Sequence, residues 1–219
     1  MRPNEGMSRA EFFADPDDAG LAHGLALLRG FALPPAAELA LDVNRVAAAA
    51  PFRHMTTRGG FRMSVEMTNC GAAGWTSDRK GYRYAAIDPD SGLPWPSMPA
   101  AFVELAQRAA NAAGFPGFAP DACLINRYAP AARMSLHQDR DERNLNAPIV
   151  SVSLGLPATF LFGGLTRGDR PQRIGLQHGD VVVWGGASRL NFHGIAPLAE
   201  GSHPVTGRAR INLTLRQAL

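Results

Sequence analysis

From residue 122 to the C-terminus the chain is written almost wholly in short β runs, at 122–128, 133–138, 148–155, 158–163, 173–176, 180–184 and 210–216, parted by Gly, Pro and Asp turns. Runs of this length and spacing suit two packed antiparallel sheets. The last run, Arg210-Ile-Asn-Leu-Thr-Leu-Arg216, alternates strictly. Successive side chains of a strand point to opposite faces, so Arg210, Asn212, Thr214 and Arg216 share one face and Ile211, Leu213 and Leu215 the other. Leu124, Asn126 and Tyr128 form a second such face. A jelly-roll core (a double-stranded β-helix, cupin-like) is expected.

Ahead of this core the periodicity changes. Gly24–Phe31 reads as a strand, and Pro35–Ala49 as a helix with proline in its first turn and Pro51 beyond its end. A second helix is predicted from about Pro99 to Ala113, where Phe102, Leu105, Ala106 and Ala109 recur at helical spacing before Gly114. Between the helices, Phe61, Met63, Val65 and Met67 alternate with Arg62, Ser64 and Glu66, as in a half-buried strand. No repeat or linker divides the 219 residues, and a chain of this length can bury roughly 70% of its unfolded surface as one domain. The expected class is α+β, mainly β. A single domain, 1–219, has an N-terminal part over about 20–120 and a catalytic core over about 121–217.

His137-x-Asp139 with a distant His193 can supply two imidazoles and one carboxylate to a single ion. Such a set occupies one face of an octahedron and leaves the other open, the pattern of non-haem Fe(II) oxygenases. Spacing alone fits several metals, and also an ordinary hydrogen-bonded His/Asp pair. The polar face of 210–216 is open in the same way: it either meets solvent or lines a pocket. In a pocket, Arg210 and Arg216 flanking Asn212 would suit a short dicarboxylate, since a guanidinium fork binds carboxylates directionally.

Taken together, His137-x-Asp139, His193 and Arg210-x-Asn212-x-Thr214-x-Arg216 resemble the signature of the AlkB family of iron and 2-oxoglutarate dioxygenases. The stretches Asp121-Ala-Cys-Leu-Ile-Asn-Arg-Tyr-Ala-Pro130, Ala147-Pro-Ile-Val-Ser-Val-Ser-Leu-Gly-Leu-Pro157 and His178-Gly-Asp-Val-Val-Val-Trp-Gly-Gly186 carry the same resemblance, which spans about residues 20–217. It implies that His137, Asp139 and His193 bind Fe(II) and form the catalytic set. It further implies that Leu124, Asn126, Tyr128, Arg210, Asn212 and Arg216 hold 2-oxoglutarate, with O2 as second co-substrate. The implied reaction hydroxylates the methyl group of an N-alkylated base such as 1-methyladenine or 3-methylcytosine and releases formaldehyde, succinate and CO2.

Within this resemblance the Gly-rich segment with Thr68-Asn-Cys-Gly71, Trp75 and Tyr82-Arg-Tyr84 corresponds to a nucleotide-recognition lid. Met67, Trp75, Tyr82, Tyr84, Asp141 and Arg167 are then the substrate contacts. A methylated ring nitrogen lies inside a paired duplex, so the base must be flipped out or already single-stranded. Trp75 would stack on it, with the His193 ring opposite, and Asp141 would favour a cationic base. Arg140 stands where the family has lysine and Asn191 where it has an aromatic residue, so the substrate range does not transfer unaltered. The expected partner is alkylated single- or double-stranded DNA, with RNA as a further substrate. The competing readings are the same oxidation of RNA, protein or a small molecule, and a non-catalytic nucleic-acid binder.

Charge and cysteine content narrow the setting. A net charge of +3 permits nucleic-acid binding without demanding it. Cys70 and Cys123 are the only cysteines and match neither a disulfide framework nor a zinc site, which suits a reducing compartment. Met1 to Phe13 contains no apolar signal core, Met7 is an alternative start, and no apolar run reaches membrane-spanning length. A soluble, cytoplasmic monomer with no membrane partner is expected.

Overall fold

The computed structural model describes residues 21–219; Met1–Phe13 and the alternative start at Met7 lie outside the described residues. Strand β1 (Leu25–Leu28) leads into helix α1 (Ala36–Ala49), strands β2 (Arg53–Thr56), β3 (Arg62–Gly71), β4 (Gly74–Asp78) and β5 (Gly81–Ala85), and helix α2 (Ala100–Ala112). The core then runs through β6 (Ala122–Tyr128), β7 (Met134–His137), β8 (Ile149–Gly155), β9 (Ala158–Phe162), β10 (Gln172–Leu176), β11 (Val181–Trp184), β12 (His193–Ile195) and β13 (Arg210–Arg216).

A seven-stranded sheet in the order β1-β11-β8-β13-β6-β3-β2 faces a four-stranded sheet, β10-β9-β12-β7, and β4 and β5 form a separate hairpin. The central strands β11, β8, β13 and β6 with the smaller sheet make the jelly roll. All pairings are antiparallel.

Strand parity sorts the large sheet into two faces. Cys123, Ile125, Val150, Val152, Val181, Leu213 and Leu215 pack outward against Leu39 and Val43 of α1 and Phe102 and Leu105 of α2. Burial of each such large apolar side chain contributes roughly 1.5–3 kcal/mol. Both helices thus buttress the outer face, leaving the inner face to meet the smaller sheet. There Leu124, Tyr128, Ile149, Val182 and Trp184 pack with Phe160, Phe162 and Ile195.

The first strand is shorter than its sequence suggests. Gly24 and Gly30 take positive φ (86° and 62°) and turn the chain at either end. Asp180 then fixes the exit, accepting from the Gly30 amide and from Arg29 Nη1, each at 2.9 Å. Four strands fall outside the expected runs: β2, the two strands of the β4–β5 hairpin, and β12, which carries His193. No helix among the described residues is long and apolar enough to cross a membrane.

Candidate metal centre and co-substrate pocket

His137 closes β7 and pairs directly opposite His193 on β12, so both imidazoles rise from one face of the small sheet. Asp139 lies just past the end of β7, and one potential ligand atom from each residue lies within 4.8 Å of the others. Asp139 Oδ1 stands 3.6 Å from His137 Nε2, and Oδ2 stands 3.7 Å from His193 Nε2. Each ring sets its Nδ1 on a backbone carbonyl, His137 on Ser135 at 2.9 Å and His193 on Asn191 at 3.0 Å. A carbonyl only accepts, so Nδ1 carries the proton and the Nε2 lone pair is left for a metal.

Electrostatics favour the ligating forms. Burial raises the Asp139 carboxyl, but Arg216, then His193 and His137, outweigh it and hold the group well below the usual carboxylate range. Burial and then neighbouring His137 push His193 down to about 4, so its ring is neutral. His193 is walled in by Trp184 and Phe160, with ring centroids 4.9 and 6.0 Å away. The His137 side chain is 35% exposed. This corrects the expected base sandwich: the accessible imidazole is His137, because β12 lies inside the small sheet between β9 and β7.

Behind the triad the polar face of β13 is buried, not solvated. Arg210 is 1% exposed, with Nη2 donating to Ser153 Oγ at 3.0 Å, while its Nε and Nη1 have no protein partner. Asn126 Oδ1 is a further buried orphan. An unsatisfied guanidinium this deep is costly, and a carboxylate supplies the missing acceptors. Tyr128 packs beneath it, with the guanidinium carbon 5.1 Å from the ring centroid. Burial pushes its phenol up to about 12, so it remains a donor. Asn212 donates to Ser151 Oγ and the Val152 carbonyl, and its own Oδ1 receives Asn126 and Thr214. Leu124 lines the same inner face.

The two arginines are not equivalent. Arg216 directs Nε and Nη2 at Asp139 Oδ2, at 2.9 and 2.5 Å, and its Nε lies 3.2 Å from Glu142 Oε1. It therefore stands at the metal end, and Arg210 with its free nitrogens at the far end. The donor set suits an octahedral metal with open positions, and the orphaned Arg210 suits a dicarboxylate.

Beside the metal set, the β4–β5 hairpin presents Trp75 stacked on Tyr82, with centroids 5.6 Å apart and planes 11° from parallel. Trp75 Nε1 donates to Asp141 Oδ2 at 2.9 Å, and the Tyr84 hydroxyl to Glu142 Oε1 at 2.7 Å. Burial drives the Tyr84 phenol far above its ordinary value, which keeps that hydroxyl protonated. Asp141 is exposed and Met67 is buried on the inner face beside Leu124 and Tyr128. Arg167 is partly committed: Nη1 donates to the Leu136 carbonyl at 2.7 Å and the guanidinium carbon lies 4.9 Å from the Phe192 ring centroid. Ser151 and Ser153 were not singled out from the sequence, although their alternation in β8 places them opposite Thr214 and Asn212 on β13, within diagonal reach of Asn212 and Arg210. Nothing in the sequence marked Glu142 or Arg189.

Residues 24–216 match the 2OG-Fe(II) oxygenase superfamily. The chain is 61% identical over 205 residues to the alpha-ketoglutarate-dependent dioxygenase AlkB of Escherichia coli, covering 94% of this chain and 95% of that one. It belongs to the AlkB family of dioxygenases. AlkB enzymes use Fe(II), 2-oxoglutarate and O2, and the triad and buried arginines answer to that chemistry. The solved structure of OsALKBH1 superposes with a TM-score of 0.80 at 28% identity, covering 90% of this chain and 98% of that one. A more distant relative, the DNA N(6)-methyladenine demethylase ALKBH1C of Arabidopsis thaliana, is 31% identical across 64% of this chain and 36% of its own length.

Proposed function

We propose that this dioxygenase removes methyl groups from ring nitrogens of nucleobases, 1-methyladenine and 3-methylcytosine, in DNA and also in RNA. One relationship carries the reading. The stacking surface Trp75 is hydrogen-bonded to Asp141, two residues beyond Asp139 of the metal set. A flat base on the indole would therefore lie beside both a carboxylate and the triad, with His137 as the exposed ring on the other side. The DNA N(6)-methyladenine demethylase among the relatives supports methylated DNA as the substrate, although its methyl group sits on an exocyclic nitrogen.

In this reading His137, Asp139 and His193 hold Fe(II), and Arg210 with Tyr128 and Asn126 holds the far carboxylate of 2-oxoglutarate. Leu124 and Asn212 complete that pocket, and Arg216 orients the end beside Asp139. Bound Fe(II), with 2-oxoglutarate and O2, supplies the oxidation that turns an N-methyl C–H into C–OH, yielding succinate and CO2. Trp75 and Tyr82 grip the base and exclude water, Asp141 faces its positive charge, and Met67, Tyr84 and Arg167 complete the surroundings. The N–CH2OH group then loses formaldehyde: the hydroxyl proton passes to solvent, the C=O bond forms, and the C–N electron pair returns to the ring nitrogen. Tyr128 and Tyr84 keep their protons throughout, as donors.

The protein acts as one domain, in which about 20–120 supplies buttress and lid and 121–217 the catalytic core. Supporting this, β1, β2 and β3 join the same sheet as β6, β8, β11 and β13. It works as a cytoplasmic monomer, and the free, buried Cys70 and Cys123 suit a reducing compartment. The test is incubation of a 1-methyladenine oligonucleotide with the protein, iron, ascorbate and 2-oxoglutarate. Formaldehyde release that is lost in His137→Ala is expected. No release from the wild type, or undiminished release from the variant, contradicts the proposal.

A further inference from the structure

Glu142 is a buried carboxylate that belongs neither to the metal triad nor to the polar face of β13. Its side chain is 1% exposed. A charge this deep is tolerated only when paired and hydrogen-bonded. Oε2 accepts from Arg189 Nη2 at 3.1 Å, and Oε1 lies 3.2 Å from Arg216 Nε. Arg189 donates Nη1 onward to the Asp139 carbonyl at 2.6 Å and Nε to the Ala147 carbonyl at 2.9 Å. Asp139, Arg216, Glu142 and Arg189 thus close a ring of alternating charge around the backbone and carboxylate of a metal-set residue.

One further donor to Glu142 comes from outside this core. Tyr84 is the cross-strand partner of Trp75 in the hairpin, so both side chains lie on one face of a two-stranded unit. That pair addresses the consecutive carboxylates Asp141 and Glu142, Trp75 the exposed one and Tyr84 the buried one. Whatever holds the hairpin down keeps the Tyr84 hydroxyl on Oε1. Without that donor, Oε1 is left to Arg216 alone, and the guanidinium beside Asp139 loses its fixed setting.

From this geometry we infer that Glu142 is a positioning residue that couples nucleic-acid binding on the lid to 2-oxoglutarate binding beside Arg216. The inference rests on the nucleobase reading above. A base stacked on Trp75 stabilises the Tyr84–Glu142 bond, which fixes Arg216 and Arg189 and tightens the co-substrate pocket. Linkage requires the reverse as well: bound 2-oxoglutarate tightens the lid on the base by the same factor.

The test uses the Mn(II)-loaded protein, in which binding is read without turnover. Calorimetry gives 2-oxoglutarate affinity with and without a saturating 1-methyladenine oligonucleotide. Fluorescence anisotropy gives oligonucleotide affinity with and without 2-oxoglutarate. In the wild type both affinities rise together, by about fivefold or more. Tyr84→Phe removes only the hydroxyl, and Glu142→Gln removes the charge and one of the two acceptor oxygens; each brings the factor to about one. Thermal melting reports the folding of each variant separately, and a simple structural role would move the melting temperature without moving the factor. A wild-type factor of one, or an unchanged factor in Tyr84→Phe, overturns the coupling while leaving the nucleobase reading intact. Failure of the oligonucleotide to bind at all overturns that reading, and the coupling with it.

Discussion

Arg216 clamps Asp139: two of its guanidinium nitrogens converge on Oδ2 at 2.9 and 2.5 Å. The carboxylate is thereby turned with Oδ1 toward His137 and Oδ2 toward His193. A residue of β13 thus sets the orientation of the carboxylate in the candidate metal set. Arg216→Lys keeps the charge but loses the planar fork. Losses of about 10–100-fold in metal affinity, as for other partners of metal ligands, are expected in a titration without 2-oxoglutarate. Metal affinity equal to the wild type would show that the clamp is idle.

Arg210 differs in kind, because it is a buried charge whose Nε and Nη1 await an acceptor. Removing such a charge relieves a desolvation cost. Arg210→Met is therefore expected to melt, without co-substrate, at the same temperature as the wild type or higher. The wild type should gain about 2.7 kcal/mol from 2-oxoglutarate at a hundredfold excess over Kd, and the variant none. Calorimetric melting with and without 2-oxoglutarate decides it; equal gains would place the carboxylate elsewhere.

The face of β13 shows how far the sequence could be read. Strict alternation in β6 and β13 marked both strands to their ends, and the residues sharing each face. It could not say that the polar face was buried, since that depends on the small sheet lying across it. The β4–β5 hairpin was hidden because Gly74-Trp-Thr-Ser-Asp78 lacks a strand's apolar rhythm, and β12 because it has only three residues, one of them Gly194. The Glu142–Arg189 pair joins positions 47 apart, which no local pattern reveals. The sequence resemblance sets the His193 ring opposite Trp75; only the packing of β12 between β9 and β7, with Trp184 and Phe160 against His193, leaves His137 as the open ring.

Trp75 and Asp141 should separate by readout. Trp75→Ala loses a stacking surface worth about 1–3 kcal/mol, so the oligonucleotide KM should rise for every lesion. Asp141→Asn should act on charge. Its kcat/KM should fall by roughly fivefold, about 1 kcal/mol for a partly solvated pair, on cationic 1-methyladenine, and little on neutral 1-methylguanine. Equal losses on both lesions would remove the electrostatic role.

His178 gives a pH dependence remote from the metal. Its Nδ1 accepts the Gly155 amide at 3.0 Å, and burial, followed by His203 at 4.3 Å between centroids, holds its folded pKa below the ordinary value. The unfolded state therefore binds more protons between the folded pKa and the ordinary value of about 6.5. Stability is full above about 6.5 and declines as pH falls toward the folded pKa. His178→Asn should flatten this part of the melting temperature profile, and an unaltered slope would assign the effect to other groups.

The proposed function requires one oxidation that links the buried arginine pocket to a methylated base on Trp75. Its most direct measurement is the stoichiometry of a single reaction on a 1-methyladenine oligonucleotide, with succinate, formaldehyde and unmodified adenine quantified together. Equal amounts of all three are expected, and none with His137→Ala. Succinate formed without formaldehyde and adenine, at saturating oligonucleotide, would contradict it.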